Sequence, residues 1–180
     1  MGARLTKADS IDEIRKQWKS VCPELNSWPM AIIGRISRLE RGIDERMRAA
    51  CAEFGIERWG FDVLATLRRA GSPFVLTPTQ LYRSLLLTSG AMTNRLDRLE
   101  DAGLLKRTKD PNDRRGLRIV LTSKGRDLVD RMVVVHMEVE AAMLAEIPMK
   151  QQRHLADLLR LLSDSIERSN DHPPTGGHHE

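Results

Sequence analysis

The amino-acid sequence predicts a mainly α-helical protein with one small β-hairpin. Hydrophobic residues make up 41% of the 180 residues, which is enough to build a packed core. Aromatic residues make up only 4%, and this composition favours packed helices over a sandwich of aromatic-rich strands. Between residues 29 and 54 the apolar positions also recur at threes and fours, which is the spacing of a helix with one buried face.

The N-terminal part of the chain is predicted to form two helices. The first, over 10–20, is expected to have Ser10 as its N-cap, with Glu13 at capping-box spacing. The second, over 29–54, is expected to stop at Gly55. Because this helix is long and its apolar stripe is narrow, we expect it to pack against a second chain as well.

Three shorter helices are expected next. One covers 58–69, and another covers 78–86 with Thr77 as its N-cap and a proline at its first position. The following helix covers 88–101 and is closed by Gly103. The last two helices of this group are therefore separated by a short turn.

A hairpin is predicted after these helices because the apolar pattern changes its period. The stretches "LLKRT" and "LRIVLT" are strand-like. Between them, "KDPNDRRG" carries Pro, Asn, Asp and Gly, which are typical of a hairpin loop. The sequence thus predicts a two-stranded wing.

Two long helices and a polar tail complete the chain. Ser123 is expected to cap a helix over 123–146, and the last helix is expected over 150–168. The predicted division of the chain is 1–54 for N-terminal helices that dimerise and contact a ligand, 55–122 for a DNA-binding domain, 123–168 for C-terminal dimerisation helices, and 169–180 for a disordered tail.

Positive charge is concentrated in one part of the sequence. The whole chain has a net charge of +4, whereas residues 79–126 contain eleven Lys or Arg against five Asp or Glu, a net charge of +6. A basic segment on an otherwise balanced protein indicates a polyanionic partner, and double-stranded DNA fits the helices in that segment.

Two short helices followed by a charged hairpin form the pattern of a winged helix-turn-helix, in which the second helix enters the DNA major groove. At about 100° per residue, Met92, Leu96 and Leu99 share one face and are expected to be buried. Asp97 and Asp101 are expected to face away from DNA. The helical residues expected to contact DNA are Thr79, Gln80, Ser89, Gly90, Thr93, Asn94 and Arg98.

The wing tip carries two further candidates for DNA contact, Arg114 and Arg115. One guanidinium can enter a narrow minor groove, where the negative potential is enhanced. The other can pair with Asp113 and hold the loop in shape.

The segment "SGAMTNRLDRLEDAGLLKRTKDPNDRRGLRIVLTSKGRDLVD" resembles the MarR family of bacterial transcription regulators, whose wing signature is DRRG followed by LTxxG. The resemblance extends over about 32–167. It implies a homodimer, formed by N- and C-terminal helices, that represses from a near-palindromic operator and is released by a small aromatic or anionic ligand. Phrases such as "FDVLATLRRAG" and "TSGAMTNRLDRLE" are most similar to the PecS-type and urate-responsive branch.

The resemblance to this branch implies an effector site made of an N-terminal Trp, an Asp and an Arg of the recognition helix. These positions correspond to Asp62 and Arg95, and to either Trp18 or Trp28. The helical position of Arg95 beside the buried stripe favours an internal partner, for which Asp62 is suitable in the free protein. The alternative for Asp62 is a surface pair with Arg58, four residues earlier. The ligand is expected to be a urate-like or phenolic-carboxylate-like anion.

Other functions are less well supported by the residues. Cys22 lies near Lys19, and a redox-sensing regulator of the same family that switches through Cys22 is the alternative. A winged-helix module that binds protein or RNA is a further possibility. Cys22 and Cys51 have no zinc-ligand spacing, and the histidines form no catalytic arrangement, so we expect no cofactor, no metal and no enzyme activity.

The apolar runs are also far shorter than the roughly 18 residues that span a membrane. The first 20 residues lack the apolar core of a secretory signal. We therefore expect a cytoplasmic protein without a membrane partner.

Overall fold

The computed structural model describes residues 7–85, 89–111 and 113–171, and only the backbone of 89–92, 113–115, 170 and 171. Two compact units divide the chain: one of residues 6–139, and one whose described residues are 140–171. The elements are α1 (Ser10–Val21), α2 (Met30–Ala52), α3 (Arg58–Arg69), β1 (Val75–Leu76), α4 (Pro78–Leu85), α5 (Ser89–Asp101), β2 (Leu105–Asp110), β3 (Asp113–Leu121), α6 (Ser123–Leu144) and α7 (Met149–Asp171). The predicted mainly helical fold with a small β-wing is confirmed.

The sheet has one strand more than the sequence predicted. Strand β1 pairs antiparallel with β3, so that Val75 lies opposite Val120 and Leu76 opposite Ile119. The described part of the sheet has the order β1-β3-β2. This pairing joins residues more than forty positions apart. A strand of two residues is also too short to show the alternating pattern from which a strand is predicted.

The hairpin is also longer than predicted, because β2 and β3 continue into "KDPNDRRG". Lys109 lies opposite Leu117, and the register becomes irregular between Lys109 and Asp110. An ion pair of 2.8 Å between Arg118 and Asp110 supports this charged end. The strands therefore remain paired beyond their apolar residues, because the hydrogen bonds between strands join backbone groups and do not require apolar side chains.

Two N-caps lie one residue earlier than predicted. The cap of α1 is Asp9, not Ser10: its carboxylate accepts the N–H groups of Ile11 and Asp12, and the Asp12 carboxylate accepts the Asp9 N–H. Both carboxylates also bind Arg35 of α2, at 2.9 and 2.8 Å. A charged partner on the neighbouring helix thus favours the aspartate as the cap.

Thr122, not Ser123, caps α6, because its hydroxyl accepts the N–H of Gly125 at 3.0 Å. The predicted capping box of α4 is confirmed. There the Thr77 N–H donates to Gln80 Oε1 at 2.9 Å, and the Gln80 N–H donates to Thr77 Oγ1 at 3.2 Å.

The core of the larger unit lies between α3, α4, α5, the sheet and the first part of α6. Its fully buried side chains include Leu64, Leu81, Leu96, Ile119 and Val129. The predicted burial of Leu96 is confirmed, and Leu99 is likewise buried, whereas the side chain of Met92 lies outside the described residues. Each buried leucine stabilises the fold by about 1.5–3 kcal/mol, and the two on α5 anchor that helix. Among the described helices, none is long and apolar enough to cross a membrane.

Candidate DNA interface and effector cavity

The predicted DNA-contacting face lies on the outside of α4 and α5. Thr79 and Gln80 are exposed at the start of α4, and Thr93, Asn94 and Arg98 are exposed on α5, opposite the buried leucines. This arrangement follows from the helical period, which turns Thr93, Asn94 and Arg98 outward and leaves Arg95 beside the buried stripe. Ser89 and Gly90 of α5, and Asp113, Arg114 and Arg115 of β3, have side chains outside the described residues. Contact of the predicted DNA-binding residues with DNA stays a prediction, and so does the role of Asp113 in holding the wing loop.

On one side of α5, Arg107 of β2 binds two carboxylates of the helix. Its guanidinium lies 2.6 Å from Glu100 and 2.7 Å from Asp97, and it donates to the Thr93 carbonyl oxygen at 3.3 Å. The Arg107 backbone N–H also donates to Glu100, at 2.7 Å. We call Arg107, Asp97 and Glu100 the wing-side cluster. It holds Asp97 and Glu100, two of the three acids of α5, toward the wing and neutralises them there.

On the other side, Arg98 binds Glu57, the residue before α3. Arg98 Nη2 donates to Glu57 Oε1 at 2.6 Å, and Trp59 Nε1 donates to Glu57 Oε2 at 2.5 Å. The guanidinium groups of Arg95 and Arg98 lie 5.5 and 5.1 Å from the centre of the Trp59 ring. The hydrogen bonds from Trp59 and then Arg98 lower the pKa of Glu57, which stays ionised. We call Glu57, Trp59, Arg95 and Arg98 the cavity-side cluster.

A cavity of about 880 Å³ opens beside this cluster, within the larger unit. Residues of α2, α3, α4, α5 and the middle of α6 line it. The lining includes the predicted pair Asp62 and Arg95, and also Trp59, Arg69 and His136. His136 stacks on Phe61, with the ring centres 4.6 Å apart. The cavity is therefore both aromatic and rich in arginine, which suits an anionic aromatic ligand.

The expected ion pair between Asp62 and Arg95 is not formed among the described residues. Arg95 stacks on Trp59 instead. The alternative pair with Arg58 is also absent, because Arg58 binds Asp44 of α2 at 2.6 Å. Burial raises the pKa of Asp62, while the surrounding positive charge lowers it in part. Asp62 thus lies in the cavity as a half-buried carboxyl group without an ion-pair partner in the described part of the chain.

The tryptophan that lines the cavity is Trp59, which the sequence reasoning missed. Trp18 and Trp28 do not belong to the lining; they are 42% and 61% exposed, and Arg15 stacks on Trp28 at 5.0 Å. Their contact with a ligand stays a prediction. The sequence could have placed Trp59 beside Asp62, because residues three positions apart share one face of a helix.

The cysteines of the chain have different surroundings. Cys51 is buried, and burial raises the pKa of its thiol. Cys22 is partly exposed just after α1, and a redox role for it stays a prediction. Among the described residues, no group of three or more His, Cys, Asp or Glu side chains forms a metal site.

Comparisons with known proteins identify the family. The model of the MarR family matches residues 54–116. The HTH-type transcriptional regulator PecS of Dickeya dadantii is 37% identical over 149 residues, which cover 83% of this chain and 90% of PecS. The predicted resemblance to PecS-type regulators is therefore confirmed.

Solved structures agree on the fold. A mutant MarR from E. coli complexed with operator DNA has a TM-score of 0.65 at 24% identity, over 81% of this chain and 96% of that one. BpsR of Bordetella bronchiseptica, in a structure that concerns regulation of its DNA binding by 6-hydroxynicotinic acid, has a TM-score of 0.65 at 22% identity, over 73% and 93%. The chain belongs to the MarR family and is a DNA-binding winged-helix regulator of transcription similar to PecS.

Proposed function

We propose that this regulator is a homodimeric repressor that a small aromatic anion, bound in the cavity, releases from its operator. One observation carries the proposal: Arg95 lines the cavity and lies on α5, between the exposed residues Asn94 and Arg98. A ligand that binds its guanidinium acts directly on the helix that is predicted to read DNA. The regulation of BpsR by an aromatic acid supports the same class of effector.

The side chains that line the cavity limit the chemical class of ligand that it can bind. Arg69 and Arg95 offer guanidinium groups to an anionic oxygen, and Trp59 offers an aromatic face. Asp62, whose pKa is raised by burial, is suited to exchange a proton or a hydrogen bond with an N–H or O–H of the ligand. Urate-like and phenolic-carboxylate-like anions carry both kinds of group.

Exposed apolar side chains on the N- and C-terminal helices support the homodimer. Nine of them, each at least 40% exposed, are Ile32, Ile33, Leu39 and Ile43 on α2 and Leu155, Leu158, Leu159, Leu161 and Ile166 on α7. Apolar surface of this extent is normally covered by a partner, and a second copy is the simplest one. A dimer of this kind fits half-sites about 34 Å apart on a palindrome. Sedimentation at micromolar concentration would give a monomer if the proposal is wrong.

The test of the effector site is an operator titration with and without urate or salicylate. For the wild-type protein we expect the effector to weaken binding about tenfold, which requires only about 1.4 kcal/mol of differential binding. Arg95→Ala should bind DNA measurably yet ignore the effector, and Asp62→Ala should mimic the effector or blunt the response. Arg48→Ala is the matched control, because Arg48 lines the same cavity but is 72% exposed and bound to Asp44. If the effector weakens DNA binding by Arg95→Ala as much as by the wild type, the assignment of the effector site to this cavity is wrong.

A further inference from the structure

Glu57 occupies the N-cap position of α3 but does not cap that helix. Its backbone is extended, and its side chain makes no hydrogen bond to the first N–H groups of α3. Both carboxylate oxygens are used elsewhere: one accepts from Trp59 and the other from Arg98, forty-one positions later. Glutamate is a poor capping residue, so α3 gains nothing from it at this position. What the carboxylate does instead is hold an arginine of the predicted DNA-reading helix.

The bond to Arg98 lies at the surface. The side chains of Arg98 and Glu57 are 58% and 55% exposed, so water and salt reach both. An exposed ion pair of this kind is weak, and a DNA phosphate is a competitor of higher local charge. The same guanidinium also stacks on Trp59, which fixes its direction toward Glu57 rather than toward the outer face of α5.

We propose that Glu57 is a built-in competitor of DNA for Arg98 and so sets the operator affinity of the free protein. The proposal rests on the placement of α5 on DNA in the proposed function. In the closed state Arg98 binds Glu57; in the DNA-bound state a phosphate replaces the carboxylate. Because Trp59 binds Glu57, stacks on both arginines and lines the cavity, a ligand against its ring favours the closed state.

The test is operator binding by fluorescence anisotropy, at one fixed salt concentration, for wild type and Glu57→Gln. Glutamine keeps the size of the side chain and removes the charge that competes with phosphate. We expect Glu57→Gln to bind the operator about fivefold more tightly. Asp101→Asn is the matched control: it removes one negative charge from the exposed end of α5, three positions after Arg98, and should tighten binding by no more than about twofold.

The same two substitutions are then made in an Arg98→Ala background. If Glu57 acts through Arg98, Glu57→Gln should now tighten binding no more than Asp101→Asn does. Equal effects of the two substitutions in the wild-type background, or a full effect of Glu57→Gln without Arg98, would overturn the inference while leaving the proposed function intact. If Arg98→Ala alone leaves operator affinity unchanged, the placement of α5 on DNA fails, and the inference fails with it. Urea denaturation of each variant checks that none of these differences comes from unfolding.

Discussion

The two sides of α5, the predicted recognition helix, use the same chemistry for different purposes. Each side has an arginine within 2.6 Å of a glutamate. On the wing side, however, Arg107 is only 22% exposed and binds Asp97, Glu100 and a carbonyl oxygen. On the cavity side, Arg98 is 58% exposed and binds one carboxylate. Burial of the arginine and the number of its partners, rather than its distance from the glutamate, therefore distinguish a fixed support from an exchangeable one.

Under the proposed function, this difference decides which contacts of α5 are expected to change when a ligand binds. Breaking the wing-side cluster would leave the carboxylates of Asp97 and Glu100 near each other without a counter-charge, and Glu100 is only 34% exposed, so the change is unfavourable. Opening the cavity-side cluster returns two exposed groups to solvent, where they are readily hydrated. We therefore expect α5 to keep its contacts with the wing while its contacts with Glu57 and Trp59 change.

The largest effect is expected from a substitution that disrupts the backbone contact behind the wing side. A Cβ on Gly125, at the start of α6, would lie 2.0 Å from the carbonyl oxygen of Leu104, a contact that only a backbone shift relieves. Gly125→Ala should lower the free energy of unfolding by about 3 kcal/mol, measured by urea denaturation. Gly42→Ala is the control, because a Cβ there meets nothing within 4 Å, and it should stabilise α2 by up to about 1 kcal/mol. Equal stability of the two variants would contradict this packing.

A smaller effect is expected when the wing-side arginine itself is removed. Arg107→Ala deletes hydrogen bonds to two carboxylates and should lower the free energy of unfolding by about 2 kcal/mol. Arg98→Ala is the matched variant on the other side of the helix, and it should leave the urea midpoint nearly unchanged. If both variants lose the same stability, the two clusters are equivalent and the distinction between them is wrong.

The sequence predicted the parts of the fold that depend on local patterns. The bounds of α3 agree to the residue, and the burial of Leu96 and Leu99 follows from the helical period. The pairing of β1 with β3 does not follow from the sequence, because it joins segments far apart along the chain. The cap at Asp9 is local, but Asp9 and Ser10 are both good capping residues, and the ion pair with the distant Arg35 favours Asp9. Periodicity reports which face of an element is buried, but not which distant element covers it.

In the candidate site, too, some residues were predictable from the sequence, whereas contacts between distant residues were not. The resemblance to PecS-type regulators predicts one site for Asp62 and Arg95, and both residues line the cavity. The pair of Glu57 and Arg98 was not foreseen, because forty-one residues separate its partners and the helical period turns Arg98 outward. The stacking of Trp59 on two arginines, which draws Arg98 toward Glu57, is a tertiary contact that no spacing encodes.

The smallest effect is expected from Asp62 in the cavity, which forms no ion pair with a described residue. Burial raises the pKa of Asp62 above its ordinary value of 3.8, so the folded state favours the protonated form. Above pH 3.8 the unfolded chain releases this proton more readily than the folded protein does, and Asp62 therefore lowers stability as the pH rises through its folded pKa. Asp62→Asn removes this dependence, and it should be slightly more stable than wild type at neutral pH.

Urea midpoints of wild type and Asp62→Asn, compared from about pH 4 to about pH 7, check the sign: the advantage of the variant should shrink as the pH falls. Asp101→Asn, which makes the same chemical change at an exposed position, is the control. A wild type that gains stability over Asp62→Asn on going to neutral pH would mean that the nearby arginines outweigh burial. The carboxylate would then be a stabilising partner of the cavity, and the cavity side would resemble the wing side more than its contacts indicate.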